Sequence, residues 1–429
     1  MQCELTNFFT PRGVAIIGAS SNPEKLSHGI LQNMIQYGYP GGVYPVNPGS
    51  SEINVIIPLT GEKTSLKCFP DVSQVPDPVD LAVIVLPAKL VVPVVDNCGK
   101  RGIKNVTIIS GGFKEVGGEG VHLENELIKV AKSHQIRLTG PNCVGIVDLY
   151  SGLNTTFIRG IPNKGSIGFL SQSGAIIGGV LDLFTNKGCG FSKIVSMGNE
   201  ADVNETDLLE YLGDDPQTKV IVLYIEEIKD GQRFLKVARQ VNQKKPIIIL
   251  KAGNTEAGSR AISSHTGSLA GSKEAYQAAF DQAGLVVANN VNELFMLATA
   301  FAYQAAPKGN RVAIVTNAGG LAALASDSLS VNHLKLAEIT QETKTYLRQN
   351  LNPGAQVDNP IDLLGGGGPE EYEIAVKTLL NEPNVDAIYN LLVPHALINP
   401  EEIANAIGKS TMNSPKTVLT CIMGEKSLG

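Results

Sequence analysis

Val14-Ala15-Ile16-Ile17-Gly18-Ala19-Ser20-Ser21 is the stretch that decides the fold of this 429-residue chain. Four apolar residues in a row predict a buried parallel strand, and the small-residue loop after them predicts a sharp turn into a helix. Two later stretches repeat the arrangement, SIGFLSQSG from Ser166 and RVAIVTNAGG from Arg311. The recurrence predicts an α/β protein of three consecutive Rossmann-like or flavodoxin-like modules with mostly parallel sheets.

These strand starts divide the chain into three predicted domains, residues 1–145, 146–306 and 307–429. Pro307-Lys308-Gly309-Asn310 is interpreted as the linker before the third domain, since Pro and Gly interrupt regular structure. The third domain stops soon after a strand predicted for Thr417 to Met423. Two alternatives stay open there: a truncated chain, or a domain that a partner closes.

Composition excludes several classes of partner. The net charge is −6 and no block of basic residues occurs, which argues against nucleic acid and anionic membrane. The first residues lack a signal-peptide core, and no apolar run reaches the length of a membrane span. Six cysteines without a CxxC pair favour reduced thiols in the cytoplasm over disulfides or zinc. We therefore expect no metal site on this chain.

The loop after the first strand predicts a nucleotide site, because a helix begins directly behind it and its N-terminus attracts phosphate. The loop reads GASSNP rather than GxGxxG. The second predicted strand ends in Asn47-Pro48, without the acidic residue that takes the ribose diol of NAD. Coenzyme A, bound through its phosphates, fits this pattern better than NAD.

A second motif lies at Ser263 to Ser272, which reads SSHTGSLAGS and precedes a helix predicted for Lys273 to Ala283. Small residues let a bulky anion approach the backbone, and hydroxyls offer it hydrogen bonds. Neutral imidazole is a nucleophile near pH 7, so His265 is a candidate carrier of a phosphoryl group. Local composition alone leaves the alternative open that His265 merely sits in a flexible loop.

The chain as a whole resembles the succinyl-CoA synthetase α subunit and, more closely, the NDP-forming acyl-CoA synthetases. The likeness covers nearly all of the chain and keeps the family's order of motifs. The motifs are VAIIGASSNP (14–23), YPVNP (44–48), VIVLPA (83–88), ISGGFKE (109–115), GPNCVGI (140–146), GFLSQSGA (168–175), SMGNEADVNETDLLEYLGDD (196–215), YIEEIKDG (224–231), SSHTGSLAGS (263–272), TNAGG (316–320) and NPIDLLGG (359–366).

The resemblance implies a role for particular residues. His265 matches the family's phosphorylated histidine, and Glu226 matches the glutamate that holds its other ring nitrogen. Glu227 is the rival, because alternation along a strand puts only one of the two on the site face. A phosphate cradle is expected at Ser171, Gln172, Ser173, Gly174, Gly267 and Ser268. The CoA site is expected at Gly18, Ala19, Ser20, Ser21, Lys25, Val46, Asn47, Pro48, Leu86, Pro87, Ser110, Gly111, Gly112, Asn142 and Cys143.

The resemblance also implies the reaction, in which acyl-CoA, phosphate and ADP interconvert with a carboxylic acid, CoA and ATP through an acyl phosphate and a phosphohistidine. In this family an ATP-grasp domain binds ADP or ATP with Mg²⁺, and we find none in the sequence. The chain is therefore expected to be an α-type subunit with a separate ATP-grasp β-type partner, as α2β2. The third domain and HTGS in place of HAGA point to the acyl- or acetyl-CoA branch, with the acid left open.

Two other functions are weighed. A non-catalytic CoA- or acyl-CoA-binding regulatory protein could use the same scaffold, but it would have no use for a phosphorylatable histidine. An NAD-dependent dehydrogenase is disfavoured by the GASSNP loop. Of the remaining histidines, His28 is expected on the surface of the first helix, and Cys143 is expected to pack near the thiol end of CoA rather than act as a nucleophile.

Overall fold

A computed structural model of the chain describes residues 5–57, 60–160, 162–184, 188–260, 272–396, 398–412 and 414–424. The chain forms two compact units, Met1–Ala302 and Tyr303–Gly429, which are described separately below. Within the described ranges, no helix is long and apolar enough to cross a membrane.

The first unit begins with a five-stranded parallel sheet in the order β2-β1-β5-β6-β7. Every residue of β1 and β5 is buried, as expected for strands that helices cover on both faces. The strands are β1 (Gly13–Ile17), β2 (Gly42–Val46), β5 (Leu81–Ile84), β6 (Asn105–Ile108) and β7 (Arg137–Thr139). The helices are α1 (Leu26–Gln36), α2 (Ala88–Arg101) and α3 (Glu119–His134). An antiparallel hairpin joins β3 (Glu52–Ile56) to β4 (Lys63–Lys67).

The same unit contains a seven-stranded sheet in the order β14-β13-β12-β10-β11-β8-β9. Its first five strands are parallel, and β8 and β9 continue the sheet antiparallel. The strands are β8 (Ile146–Asp148), β9 (Leu153–Asn154), β10 (Asn163–Ser171), β11 (Gly190–Ser196), β12 (Val220–Ile225), β13 (Ile247–Lys251) and β14 (Val286–Val287). The helices are α4 (Gly174–Phe184), α5 (Glu205–Asp214), α6 (Gly231–Asn242), α7 (Lys273–Ala283) and α8 (Val291–Tyr303).

One hydrophobic core connects these two sheets. It contains Ile16 and Val83 from the first sheet with Leu170 and Leu223 from the second, all fully buried. The Phe9 ring stacks on Tyr211 of α5 with centroids 4.5 Å apart. Burial of apolar side chains from both sheets stabilises the relative position of the sheets, because the free energy gained scales with the apolar area removed from water.

The second unit holds a five-stranded parallel sheet in which β16-β15-β18-β19 are neighbours in that order and β17 also pairs with β15. Its strands are β15 (Arg311–Thr316), β16 (Lys335–Leu336), β17 (Ile361–Asp362), β18 (Ala387–Leu392) and β19 (Thr417–Ile422). Its helices are α9 (Gly319–Val331), α10 (Gln341–Asn350), α11 (Pro369–Asn381) and α12 (Pro400–Thr411). The predicted fold class, α/β with mostly parallel sheets, is confirmed.

Candidate active site

The loop after β1 lines a cavity of about 540 Å³ at the carboxyl ends of the first sheet. Such ends are where open parallel sheets bind ligands. The lining includes many of the residues predicted to bind CoA, namely Gly18, Ala19, Ser20, Lys25, Asn47, Leu86, Pro87, Ser110 and Gly111. An adjoining cavity of about 470 Å³ shares Gly18, Asn47 and Leu86 and adds Val46 and Pro48. The structure therefore brings these predicted residues together at one edge.

Two residues, Gly18 and Asn47, determine the shape of this loop. Gly18 has φ +91°, and a Cβ there would lie 2.3 Å from the carbonyl oxygen of Val85, so only glycine fits without a shift of the backbone. The Asn47 amide donates a hydrogen bond to the Ala19 carbonyl at 2.7 Å, and its oxygen accepts from the Gly49 amide at 2.8 Å. Asn47 thus closes the turn at the position where NAD-binding proteins carry an acidic residue.

His28 is buried, with 3% of its surface exposed, and its Nδ1 lies 3.0 Å from the Ser20 carbonyl oxygen. The expectation that it lies on the helix surface is wrong. Ser20 belongs to the loop after β1, which folds back onto α1 and gives the ring a polar partner. A histidine with such a partner can be buried at little cost.

A third cavity, of about 520 Å³, lies beside the 540 Å³ cavity and shares Leu26, Ile109 and Gly111 with it. The predicted residues Asn142, Cys143, Gln172, Ser173, Gly174 and Glu226 line it, and so does Glu227. Lys114, Asn199, Glu200 and Lys229 also line it, although they were not predicted. It therefore joins the loops of the first sheet to the carboxyl ends of the second.

The loop between β10 and α4 has the form of an anion site. The Ser171 hydroxyl is buried, donates to the Ser173 carbonyl at 2.7 Å and accepts from the Ser173 amide at 3.1 Å. This turn places Ser173, Gly174 and Ala175 on the cavity wall at the beginning of α4. The first amides of a helix lack partners within the helix and attract anions. Ser171 therefore shapes the loop from beneath.

Gln172 and the two glutamates meet across neighbouring strands. The Gln172 Oε1 accepts hydrogen bonds from the backbone amides of Glu226 and Glu227 at 2.5 and 3.0 Å. Its Nε2 donates to the Glu200 carboxylate at 2.9 Å and to the Glu227 carbonyl at 2.7 Å. Because both amide hydrogens of Gln172 are used in this way, the side chain supports the loops around the cavity.

Charged groups in this cavity have shifted pKa values. Burial, reinforced by the nearby Glu205 carboxylate, raises the pKa of Glu200 to about 8. Burial lowers the pKa of Lys114, and the charge of Lys229 lowers it further. The Lys229 ammonium donates to the carbonyls of Asn199 and Glu200 at 3.2 and 2.9 Å. The wall thus places the Lys114 and Lys229 side chains beside an acid whose burial favours its neutral form.

Cys143 is fully enclosed, and its thiol donates to the Ile108 carbonyl at 3.2 Å. Burial raises the pKa of this thiol to about 12, so it is not a thiolate near pH 7. Cys143 is thus a buried, neutral thiol, and its expected place near the thiol end of CoA stays a prediction. The described residues include no group of three or more His, Cys, Asp or Glu side chains that could hold a metal ion.

The remaining predicted residues fall in two groups. Ser21 and Gly112 do not line these three cavities. His265, Gly267 and Ser268 lie outside the described residues. Three residues that were not predicted, Lys114, Glu200 and Lys229, lie within the motifs ISGGFKE, SMGNEADV and YIEEIKDG. Their place in these motifs could have identified them as cavity residues, whereas a charged residue by itself could not.

Three family descriptions match the chain in sequence order. "CoA binding domain" matches residues 12–148, "Succinyl-CoA ligase like flavodoxin domain" matches residues 164–301, and "Ligase-CoA domain" matches residues 312–414. The first includes the loops of the 540 Å³ cavity, and the first and second together supply the walls of the 520 Å³ cavity apart from Phe157, which lies between them.

Relatives of known name match nearly the whole chain. It is 45% identical over 423 residues to acetate–CoA ligase [ADP-forming] II subunit alpha of Pyrococcus furiosus, covering 98% of this chain and 90% of that protein. It is 40% identical to acetate–CoA ligase [ADP-forming] I of Archaeoglobus fulgidus, covering 99% of this chain and 59% of that longer protein.

A solved structure has the same fold over the full chain. It is the dinucleotide-forming acetyl-coenzyme A synthetase 1 of Ca. Korarchaeum cryptofilum in complex with phosphate and ADP. The TM-score is 0.92 at 37% identity, and the match covers 100% of this chain and 90% of that chain.

Proposed function

The chain belongs to the family of ADP-forming acyl-CoA ligases, and from this premise we propose that it is the α-type subunit that binds acyl-CoA and carries the phosphoryl group on His265. The observation that carries the proposal is the pair of adjoining cavities. They share Leu26, Ile109 and Gly111 and connect the nucleotide loop of the first sheet with the strand ends of the second.

The reaction interconverts acyl-CoA, phosphate and ADP with a carboxylic acid, CoA and ATP. A phosphate oxygen attacks the thioester carbonyl, the C–S bond breaks, and CoA leaves as its thiol after taking a proton. The His265 nitrogen then attacks phosphorus of the acyl phosphate, and the carboxylate leaves. ADP takes the phosphoryl group from His265, which regenerates the imidazole.

In this proposal CoA occupies the two cavities of the first sheet. The Gly18–Ser20 loop and Lys25 at the start of α1 hold phosphates, because helix N-termini and lysine both favour anions. The thiol end extends past Ile109 and Gly111 into the 520 Å³ cavity. The thioester would then lie beside Cys143, whose buried neutral thiol packs without reacting.

Phosphate and acyl phosphate bind in the 520 Å³ cavity. The amides that open α4 at Gly174 and Ala175 offer hydrogen bonds, and the Lys114 ammonium lies on the same cavity wall. Cations and helix N-termini stabilise a phosphoryl group in transfer through charge and position rather than through covalent chemistry.

Glu226 is proposed to hold the second ring nitrogen of His265 and so to stabilise the imidazolium that forms. It follows β12, and the neighbouring strand β13 leads toward the segment that contains His265. Helix α7, on the other side of that segment, is tied to the glutamate loop, because the Ile228 amide donates to the Tyr276 hydroxyl at 3.2 Å. Both features support proximity of His265 and Glu226.

ATP formation is proposed to need a separate ATP-grasp β-type subunit that binds ADP and Mg²⁺, in an α2β2 assembly in the cytoplasm. The lengths of two relatives support this division between subunits. The chain covers 90% of a relative named as an α subunit, and 59% of one named without a subunit. The domain boundaries at residues 145 and 306 are part of the same proposal. The free thiols of Cys68, Cys98, Cys143, Cys189 and Cys421 agree with a reducing compartment.

The proposal is tested by mixing the purified chain with acetyl-CoA, phosphate, ADP and Mg²⁺, with and without a β-type subunit. We expect ATP only when the β-type subunit is present. A panel of acyl-CoAs in the same assay identifies the acid. Vigorous ATP formation by the chain alone would contradict the division of labour, and no ATP with any acyl-CoA and partner would contradict the activity.

A further inference from the structure

Gln172 lies at the carboxyl end of a central strand of the seven-stranded sheet. It follows β10, and β10 has β12 on one side and β11 on the other. Its backbone amide continues the ladder by donating to the Tyr224 carbonyl at 3.1 Å. Its side chain can therefore reach the loops that follow both neighbouring strands.

The amide of Gln172 makes four hydrogen bonds to those loops. On the β12 side, Oε1 accepts from the amides of Glu226 and Glu227, and Nε2 donates to the Glu227 carbonyl. On the β11 side, Nε2 donates to Glu200 Oε2. Because backbone amides can only donate, they determine which end of the Gln172 side chain is oxygen. Its polar atoms are fully committed to protein partners.

Glu200 is itself held firmly. It is 6% exposed and has φ +53°, and its Oε1 accepts from the Glu205 amide at 3.2 Å. The Gln172 amide thus connects a buried, constrained carboxyl group on one side with the main chain of the two glutamates on the other. Networks of this kind specify one arrangement because each unmade bond is costly in a buried place.

We propose that Gln172 is a positioning residue for phosphoryl transfer, which locks the main chain of Glu226 and Glu227 against Glu200 and thereby sets the direction of the Glu226 carboxylate. This inference rests on the proposed role of Glu226 toward His265. It assigns the side chain of Gln172 to support of the glutamates rather than to contact with phosphate.

The first test is Gln172→Glu, which keeps the shape and removes both donors. The new carboxylate still accepts from the two amides, but it faces Glu200 and the Glu227 carbonyl without a hydrogen to offer. It can bind Glu200 only when the two carboxyl groups share a proton. The surrounding charges are Glu205, Glu226 and Glu227, and the cations Lys114 and Lys229.

We measure the rate of His265 phosphorylation from phosphate and the acyl-CoA that the panel identifies, by mass spectrometry, as the ratio of variant to wild type at each pH. The ratio removes the pH dependence that both proteins share, and the pH profile of an exchange variant (Gln172→Glu with Glu200→Gln), which carries the same carboxylate at position 172, controls for its effect on the pKa of His265. For Gln172→Glu we expect a loss of about tenfold to hundredfold above pH 8, the range known for residues that support a site residue. The loss shrinks toward pH 6, where the shared proton returns.

The matched variant is Gln172→Glu combined with Glu200→Gln, which exchanges the acid and the amide. The new amide at position 200 donates to the new carboxylate at position 172, while its oxygen still accepts from the Glu205 amide. The Glu227 carbonyl still lacks its donor, so we expect phosphorylation to recover to within about fivefold of wild type, the effect of one lost hydrogen bond, with a ratio that does not change with pH. Gln172→Met, which has similar size and no polar atom, is expected to lose tenfold or more at every pH.

The outcomes separate this inference from the proposed function. If wild type acquires no label on His265, the proposed function fails. If wild type is labelled but Gln172→Glu shows a ratio independent of pH and the exchange restores nothing, Gln172 has no positioning role. If Gln172→Glu does not fold, the test compares the exchange variant with Gln172→Met. Equal rates of His265 phosphorylation in these two variants would overturn the inference.

Discussion

At the scale of single residues, Glu226 and Glu227 are the most informative pair. Both follow β12, both line the 520 Å³ cavity, and both donate their amides to Gln172. The structure thus brings both residues to the cavity, so strand alternation does not separate them, and their separate roles stay a prediction. Since only one of the two can hold the same ring nitrogen of His265, paired substitutions distinguish them.

We predict that Glu226→Gln slows phosphorylation of His265 about a hundredfold or more, because the carboxylate that stabilises the imidazolium is lost. Glu227→Gln is the matched control, with the same change one residue away, and should stay within about threefold of wild type. The rates come from quenched-flow mass spectrometry. Equal losses in both variants would contradict the assignment.

Lys114 gives a second prediction. Lys114→Met is expected to raise the KM for phosphate about tenfold or more, because a charge-assisted hydrogen bond to the anion is lost. The pKa of Lys114 is lowered, so the ammonium loses its charge at lower pH than an ordinary lysine. Wild-type affinity for phosphate should therefore fall earlier on the alkaline side than in Lys114→Met. Lys236→Met, on the exposed side of α6, is the control and should change neither quantity.

Glu200 predicts a dependence of stability on pH. Its pKa rises from 4.5 to about 8 on folding, so the native state keeps a proton that the unfolded chain releases. The free energy of unfolding should fall as pH rises from about 4.5 to about 8, by up to about 1.4 kcal/mol per pH unit. Urea unfolding at several pH values measures the slope. Glu200→Gln should have a flatter slope, and an unchanged slope would refute this origin.

At the scale of elements, the turn between β1 and α1 can be tested through its glycine. Gly18→Ala would force the Cβ to 2.3 Å from the Val85 carbonyl oxygen at φ +91°, so the loop that lines the 540 Å³ cavity must move. We expect at least tenfold weaker binding of CoA in calorimetry, as for other displaced supports.

Gly38→Ala is the matched control, because Gly38 has φ +69° and nothing within 4 Å of a built Cβ. It should cost about 1 kcal/mol of stability from the left-handed backbone alone and leave CoA binding unchanged. Equal effects of the two changes on CoA affinity would show that the close approach at Gly18 is irrelevant.

Regular elements were predictable where local pattern determines them. The helix predicted for Lys273 to Ala283 has those same bounds in the structure, since Ser272 caps it and Gly284 ends it. The burial of His28 was not predictable, because its partner is a carbonyl in another loop. Nor was the role of Lys114, since a lysine in a sequence is expected to be solvated, and only the fold shows that it is half-buried beside Lys229.

At the scale of the whole molecule, loops from the two sheets of the first unit line adjoining cavities. Residues more than a hundred positions apart, such as Gly111 and Glu226, line the same 520 Å³ cavity, because loops at the carboxyl ends of strands in both sheets meet there. Sequence motifs predicted part of the lining, including Asn142, Gln172 and Glu226, but not Lys114, Glu200 or Lys229. They did not reveal how Gln172 joins three strand ends, because hydrogen bonds between loops depend on the order of strands in the sheet.

The most direct measurement of the central claim is the mass of the phosphorylated peptide. The chain alone is incubated with acetyl-CoA and labelled phosphate, without ADP or any partner, and digested at alkaline pH, where phosphohistidine survives. We predict label on His265, with its loss in His265→Ala and its discharge as ATP after addition of ADP and a β-type subunit. An unlabelled His265 in a chain that binds CoA, or equal label in His265→Ala, would contradict the account.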